Sequence, residues 1–179
     1  LFFSFVSFSQ MMPEAVSIFE SELMELPFDE KLKRIDKAIQ KKTSDPWNYW
    51  LKASVYELMN DDAKVRENYQ KALIIDSNFS AAHASFSRYI YTNENPNLKE
   101  ALKHINKAIS LEPSDSYFHI DRGTIYLMTQ QYDLAISEAK FVLGLQDDNE
   151  IPAGKLLLET TYMQGRKDIL KNYLQRIEL

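Results

Sequence analysis

Few residues in this sequence could carry acid–base or metal chemistry. Three histidines occur, His83, His104 and His119, and the chain contains no cysteine. His83 and His119 lie 36 residues apart, and two imidazoles that faced one point could bind a metal. Because that distance is one period of the repeat described below, repetition alone explains it. The sequence therefore predicts no metal site.

The remaining candidates for chemistry are equally weak. Asp61-Asp62 and Asp147-Asp148 lack the alternating oxygen ligands of a calcium loop, so we interpret them as turn residues and helix caps. Asn78-Phe79-Ser80 fits an N-glycosylation sequon, which matters only on a eukaryotic secretory route. The sequence holds no glycine-rich phosphate loop, no G-x-S-x-G elbow and no H-E-x-x-H pair. We expect no catalytic residue, no cofactor and no enzymatic activity.

Composition narrows the class of protein further. The chain has 179 residues, enough for one compact domain or a short repeat array. Only four glycines and six prolines occur, which favours long helices over a turn-rich β-sandwich. The net charge is −5, so the chain lacks the excess of Lys and Arg that attracts phosphate backbones. Nucleic acid is therefore not an expected partner.

The residues that remain must be positioned by a repeat of about 34 residues. Ala38, Ala72 and Ala108 lie 34 and 36 residues apart, and Val142 and Ile177 continue the series at intervals of 34 and 35. Helical spacing of apolar residues surrounds each of these positions. Each unit is therefore expected to be a helix, a tight turn and a second helix. The predicted turns are Asn60-Asp61-Asp62, Asn93 to Asn97, Gln130-Gln131 and Gln164-Gly165-Arg166.

One unit carries a recognisable signature. Gly123 and Tyr126, then Ala135, with Pro113 closing the preceding unit, resemble the 34-residue tetratricopeptide repeat (TPR). The resemblance implies an all-α fold, a right-handed α-solenoid of tandem helix-turn-helix repeats. It also implies that small residues let the helices approach while tyrosines fill the adjacent gaps. The expected structural repeat residues are Ala53, Tyr56, Ala72, Ala108, Gly123, Tyr126 and Ala135.

The repeat also predicts how the chain is divided. TPR-like units are expected at 45–79, 80–115 and 116–149. A degenerate hairpin precedes them at 13–44, and a divergent repeat follows at 150–179. Residues 1–12 form an apolar lead of different composition. Related helical-hairpin arrays remain open, although their units usually run longer.

The resemblance implies a partner protein rather than a substrate. In TPR proteins the first helix of each unit lines a concave groove, and aromatic, Arg and Met side chains there often dominate binding. We therefore predict a non-catalytic interaction module that binds a peptide or helix in this groove. Cationic residues suited to clamping a C-terminal carboxylate are absent from these positions. The predicted partner-binding residues are Trp47, Trp50, Ser54, Arg88, Tyr91, Tyr117, Asp121, Thr124 and Met128. For Trp47 and Trp50, packing against the first unit is the alternative.

The two ends of the sequence add two expectations. Ser7 and Ser9 precede Gln10 within an apolar stretch, the small-residue pattern of a signal-peptidase site, which predicts export to a compartment such as the periplasm. A membrane anchor in residues 1–9, an apolar segment packed on the first helix, and a cytoplasmic location are the alternatives. At the other end, apolar residues near Leu170 and Tyr173 could form an exposed face. The second functional hypothesis is therefore a structural subunit that self-associates or docks into a larger complex.

Overall fold

The computed structural model describes residues 25–145 and 149–165, and the regular structure in these ranges is entirely α-helical. The prediction of an all-α protein built from helix-turn-helix repeats, of the solenoid class, is confirmed. Residues 1–24, most of the lead and of the first predicted hairpin helix, lie outside the described ranges, as does the C-terminal segment with Leu170 and Tyr173. The helices are α1 Phe28–Lys41, α2 Pro46–Leu58, α3 Asp62–Ile75, α4 Ser80–Thr92, α5 Leu98–Leu111, α6 Ser116–Met128, α7 Tyr132–Leu145 and α8 Glu150–Met163.

Side-chain caps start several of these helices. Asp45 accepts a hydrogen bond from the Trp47 backbone N–H, and Pro46 follows at the first helical position, where its missing N–H is not needed. Asp61 caps α3 through the Lys64 N–H, and Asp115 caps α6 in the same way. Polar residues between the repeats therefore satisfy the free N–H groups of the next helix.

The turn inside a hairpin uses a left-handed residue. Asn60 follows α2 with φ 56° and Gln130 follows α6 with φ 59°. Gly165 occupies the same place after α8, with φ 73°. A residue in this conformation ends a helix and reverses the chain within a few residues. The predicted turns at these three positions are confirmed.

The chain forms two compact units, residues 1–89 and residues 90–179. In the first unit, α1 packs on α2 and α2 packs on α3. Ala53 and Ala72 have no exposed area, so the two helices approach closely at these positions. The ring of Tyr69 stacks on Phe86 of α4 with centroids 5.2 Å apart. A continuous apolar core therefore holds this unit together.

In the second unit, α6 contacts α5, α7 and α8, and α7 packs on α8. Gly123 lies where these helices are closest. A Cβ atom at Gly123 would fall 2.5 Å from Leu156 Cδ2 and 3.1 Å from Glu138 Cβ. Ala108 and Ala135 have no exposed area. Only a residue without a side chain fits the α6–α8 contact as it stands.

Candidate partner-binding surface

The first helix of each hairpin carries a row of residues at three- and four-residue spacing, which we call the first-helix stripe. In the first unit it comprises Trp47, Trp50, Ser54 and Glu57 of α2, with Arg88 of α4. Residues at this spacing share one face of a helix. In the second unit the stripe comprises Tyr91 of α4, Tyr117, Asp121, Thr124 and Met128 of α6, and Ile151, Lys155, Leu158 and Tyr162 of α8.

Aromatic packing fixes the start of the stripe in the first unit. Trp47 is half-buried and meets Trp50 edge to face, with ring centroids 5.7 Å apart. The Trp47 ring also contacts Phe79 at 4.5 Å in the same kind of geometry. Edge-to-face pairs of this kind stabilise a packed cluster beyond the area they bury. Trp47 therefore retains only part of its surface for a partner.

The structure corrects the prediction that Trp50 contacts a partner directly. Its side chain is only 3% exposed. The indole Nε1–H donates to Ser85 Oγ at 2.9 Å, so the polar atom of the ring is already satisfied inside the unit. Sequence spacing placed Trp50 on the right face of α2, but α4 packs over it. Trp50 supports the surface from beneath.

A carboxyl group that sequence reasoning missed follows on the same stripe. Glu57 lies three residues after Ser54, and its Oε1 accepts a hydrogen bond from the Tyr69 hydroxyl at 2.5 Å. Burial raises the pKa of Glu57 from 4.5 to about 7, although the Tyr69 hydroxyl and the charge of Arg88 both act to lower it. Burial likewise raises the pKa of Tyr69. The three-residue spacing after Ser54 was the signal that could have found Glu57.

On α6, the stripe is partly buried and partly exposed. The Tyr91 hydroxyl donates to Asp121 Oδ1 at 2.8 Å, and Asp121 is only 5% exposed. The prediction that Asp121 contacts a partner therefore needs the same correction as Trp50, because its carboxylate is buried and hydrogen-bonded. Thr124 is half-buried and donates to the Ile120 carbonyl at 2.9 Å. Met128 is exposed and offers apolar surface.

The most exposed part of the stripe lies on α8, which the sequence analysis left out. Ile151 is 85% exposed and Tyr162 is 78% exposed. They lie 34 residues after Tyr117 and Met128, so the repeat period was the signal that could have identified them. Apolar side chains of this size seldom remain so exposed without a partner when they recur along one face. Met128, Ile151 and Tyr162 form the accessible apolar part of the surface.

A buried polar network fixes α6 against α7. His119 Nδ1 lies 2.6 Å from Glu138 Oε2, and the other ring nitrogen lies 2.8 Å from the Pro113 carbonyl. Arg122 donates through Nε to Glu138 Oε1 at 2.9 Å. Sequence reasoning did not find this pairing because His119 and Glu138 lie 19 residues apart on different helices. The network holds the stripe-bearing helix in place and leaves the stripe itself unobstructed.

The described ranges contain no group of three or more His, Cys, Asp or Glu side chains that could hold a metal ion. None of the helices in these ranges is long and apolar enough to cross a bilayer. What the surface offers is exposed apolar area beside hydrogen-bonded polar groups. That combination suits the recognition of a protein segment.

Comparison with known proteins places the chain in a structural class. The sequence matches no family profile and no characterised protein at a significant level. Solved structures do match, and they are TPR proteins. The chain therefore has the TPR fold, as its sequence resemblance predicted, and at under 25% identity the likeness establishes the fold alone.

Three of these structures illustrate the match. PilW, described as a widely conserved type IV pilus biogenesis factor, is 19% identical, with a TM-score of 0.72 over 94% of this chain and 80% of PilW. YrrB, a TPR protein with an unusual peptide-binding site, is 20% identical, with a TM-score of 0.68 over 87% of this chain and 78% of YrrB. A thermophilic TPR protein of Thermus thermophilus is 19% identical, with a TM-score of 0.67 over 90% of this chain and 88% of that protein.

Proposed function

We propose that this protein is a non-catalytic interaction module that binds a segment of another protein on its first-helix stripe. The observation that carries the proposal is the exposure of Met128, Ile151 and Tyr162 along one register of α6 and α8. α6 and α8 contact each other, so these side chains belong to one surface of the second unit. Burying them against a partner would stabilise the complex by removing apolar area from water.

The chemistry of this surface favours an extended segment or amphipathic helix with apolar anchor residues. Large apolar and aromatic side chains dominate the exposed positions, and Lys155 adds one charge between them. Such anchors typically supply most of the binding energy of an interface. The likeness to YrrB, whose description names a peptide-binding site, supports the same class of partner.

We also propose that the protein works outside the cytoplasm. The small residues Ser7 and Ser9 before Gln10 support export, and the likeness to PilW, a pilus biogenesis factor, is compatible with a role at the cell envelope. Fractionation of the native host with an antibody against the chain tests this location. Recovery in the cytoplasmic fraction alone would contradict it.

The experiment for the binding function is affinity capture from the native source, with Ile151→Asp as the test variant. Ile74 on α3 is the matched control, because it is the same residue type, is 82% exposed and lies on a second helix. We expect Ile151→Asp to lose a partner that wild type and Ile74→Asp retain. Loss with both variants, or with neither, would contradict the assignment of the surface. Recovery of the chain itself as the only captured protein would favour a self-associating structural subunit.

A further inference from the structure

The inner surface of the first unit contains one carboxyl group with an incomplete set of partners. Glu57 is half-buried at the end of the row formed by Trp47, Trp50 and Ser54. Its Oε1 is fixed by the Tyr69 hydroxyl at 2.5 Å. Tyr69 is almost fully buried and stacked, so this hydroxyl is held in place by packing. The carboxyl group therefore has a defined orientation before any partner arrives.

The second oxygen of this carboxyl group is accessible. Within the described ranges, Glu57 forms no ion pair, and its one side-chain hydrogen bond is that from Tyr69. In the same ranges, Gln164 Oε1 is the one buried side-chain polar atom without a hydrogen bond. Glu57 Oε2 is therefore not buried, and it faces solvent as an acceptor.

The charge around Glu57 favours a cation at this oxygen. Burial is the largest influence on the group and disfavours the charged form, and the nearby charge of Arg88 offsets it only in part, through space. A carboxylate that has lost water without gaining a contacting cation interacts strongly with one that arrives. The raised pKa of Glu57, about 7, is consistent with this deficit of positive charge.

We propose that Glu57 Oε2 accepts the charged side chain of a lysine or arginine in the bound protein segment. This inference rests on the proposed function and adds a chemical requirement to it. The segment carries a basic residue that reaches the end of α2, next to the aromatic cluster of Trp47 and Trp50. An Oε1 held by Tyr69 and an accessible Oε2 give that residue one place to bind.

The test is a carbon-13 NMR titration of the Glu57 carboxyl group in the full chain, with N-acetyl-argininamide and N-acetyl-lysinamide as probes. We expect the titration midpoint of Glu57 to shift to lower pH as either probe is added, and the shift to saturate. Glu67 is the internal control, because it is exposed and already paired with Lys71 at 2.6 Å. Glu57→Gln assigns the signal by removing it.

Tetramethylammonium chloride at equal ionic strength separates binding from screening, because this cation donates no hydrogen bond. A midpoint that does not move with the two probes would overturn the inference. A shift of equal size with tetramethylammonium would also overturn it. Failure here is distinguishable from failure of the proposed function. A partner lost by Ile151→Asp but retained in full by Glu57→Gln would contradict the role of Glu57 while leaving the binding surface intact.

Discussion

The raised pKa of Glu57 makes a prediction about stability that needs no knowledge of a partner. The unfolded chain releases this proton near pH 4.5, whereas the folded chain retains it up to about pH 7. Between these values the folded state binds more protons, so the free energy of unfolding falls as pH rises from about 4.5 to 7. Above pH 7 the folded protein carries the whole cost of a partly desolvated carboxylate.

Glu57→Gln should remove that cost while keeping the shape of the side chain. A rise in pKa from 4.5 to about 7 corresponds to about 3 kcal/mol, at about 1.4 kcal/mol per tenfold change in proton affinity. Because the side chain is only half-buried, solvent lowers this value, and we expect the variant to be more stable by roughly 1–3 kcal/mol at pH 8. The amide oxygen of Gln can still accept the Tyr69 hydroxyl.

Urea denaturation at pH 8 and pH 4 measures the effect, with tryptophan fluorescence as the signal. Trp47 and Trp50 are the only tryptophans in the sequence, and both lie on the helix that carries Glu57. Glu67→Gln is the matched control. Its carboxylate is exposed and its pKa is lowered, chiefly by the hydrogen bond from Lys71, so neutralising it should not stabilise the protein.

The comparison between the two pH values decides the outcome. At pH 4 the wild-type carboxyl group is protonated in both states, so Glu57→Gln and wild type should unfold at similar urea concentrations. At pH 8 only the variant should gain stability. An equal gain at both pH values, or no gain at pH 8, would refute the argument that desolvation of this carboxylate opposes folding.

Three further substitutions test the packing described above, each measured by urea denaturation. Gly123→Leu should destabilise the protein by about 1–3 kcal/mol because its side chain would overlap α8, whereas Gly144→Ala, with nothing within 4 Å of the added Cβ, should stabilise it by up to about 1 kcal/mol; equal effects would contradict the close contact. Glu138→Gln should cost about 3 kcal/mol, because it removes one partner of two ion pairs, and a neutral result would show that the network does not hold α6. Trp50→Phe should cost roughly 1–2 kcal/mol by leaving Ser85 without the indole donor, with unchanged helix content by circular dichroism as the check on folding.

Much of the fold was readable from local patterns. The spacing of Ala72 and Ala108 indicated the period, and the polar breaks indicated the turns at Asn60 and Gln130. These features are local, because a cap or a left-handed turn depends on a few neighbouring residues. Repetition strengthened each weak signal, since the same pattern had to recur at one interval.

The site was less readable, because exposure depends on what other helices cover. Trp50 and Asp121 lie on the predicted face of their helices, yet both are buried against side chains from other parts of the chain. Ile151 and Tyr162 were overlooked although the period pointed to them, because the last repeat has a poor signature. A helical period predicts which residues share a face, and it does not predict which of them another element covers.

Residue types and their spacing were enough to predict the helical class, the hairpin period, the caps and turns, and the absence of a recognisable catalytic motif. They did not indicate which carboxyl groups matter, because those groups meet their partners between helices. Glu57 meets Tyr69 across 12 residues, and Glu138 meets His119 across 19. Contacts between helices are set by packing geometry rather than by local propensity. The burial that perturbs Glu57, and that hides Trp50, exists only once those helices have come together.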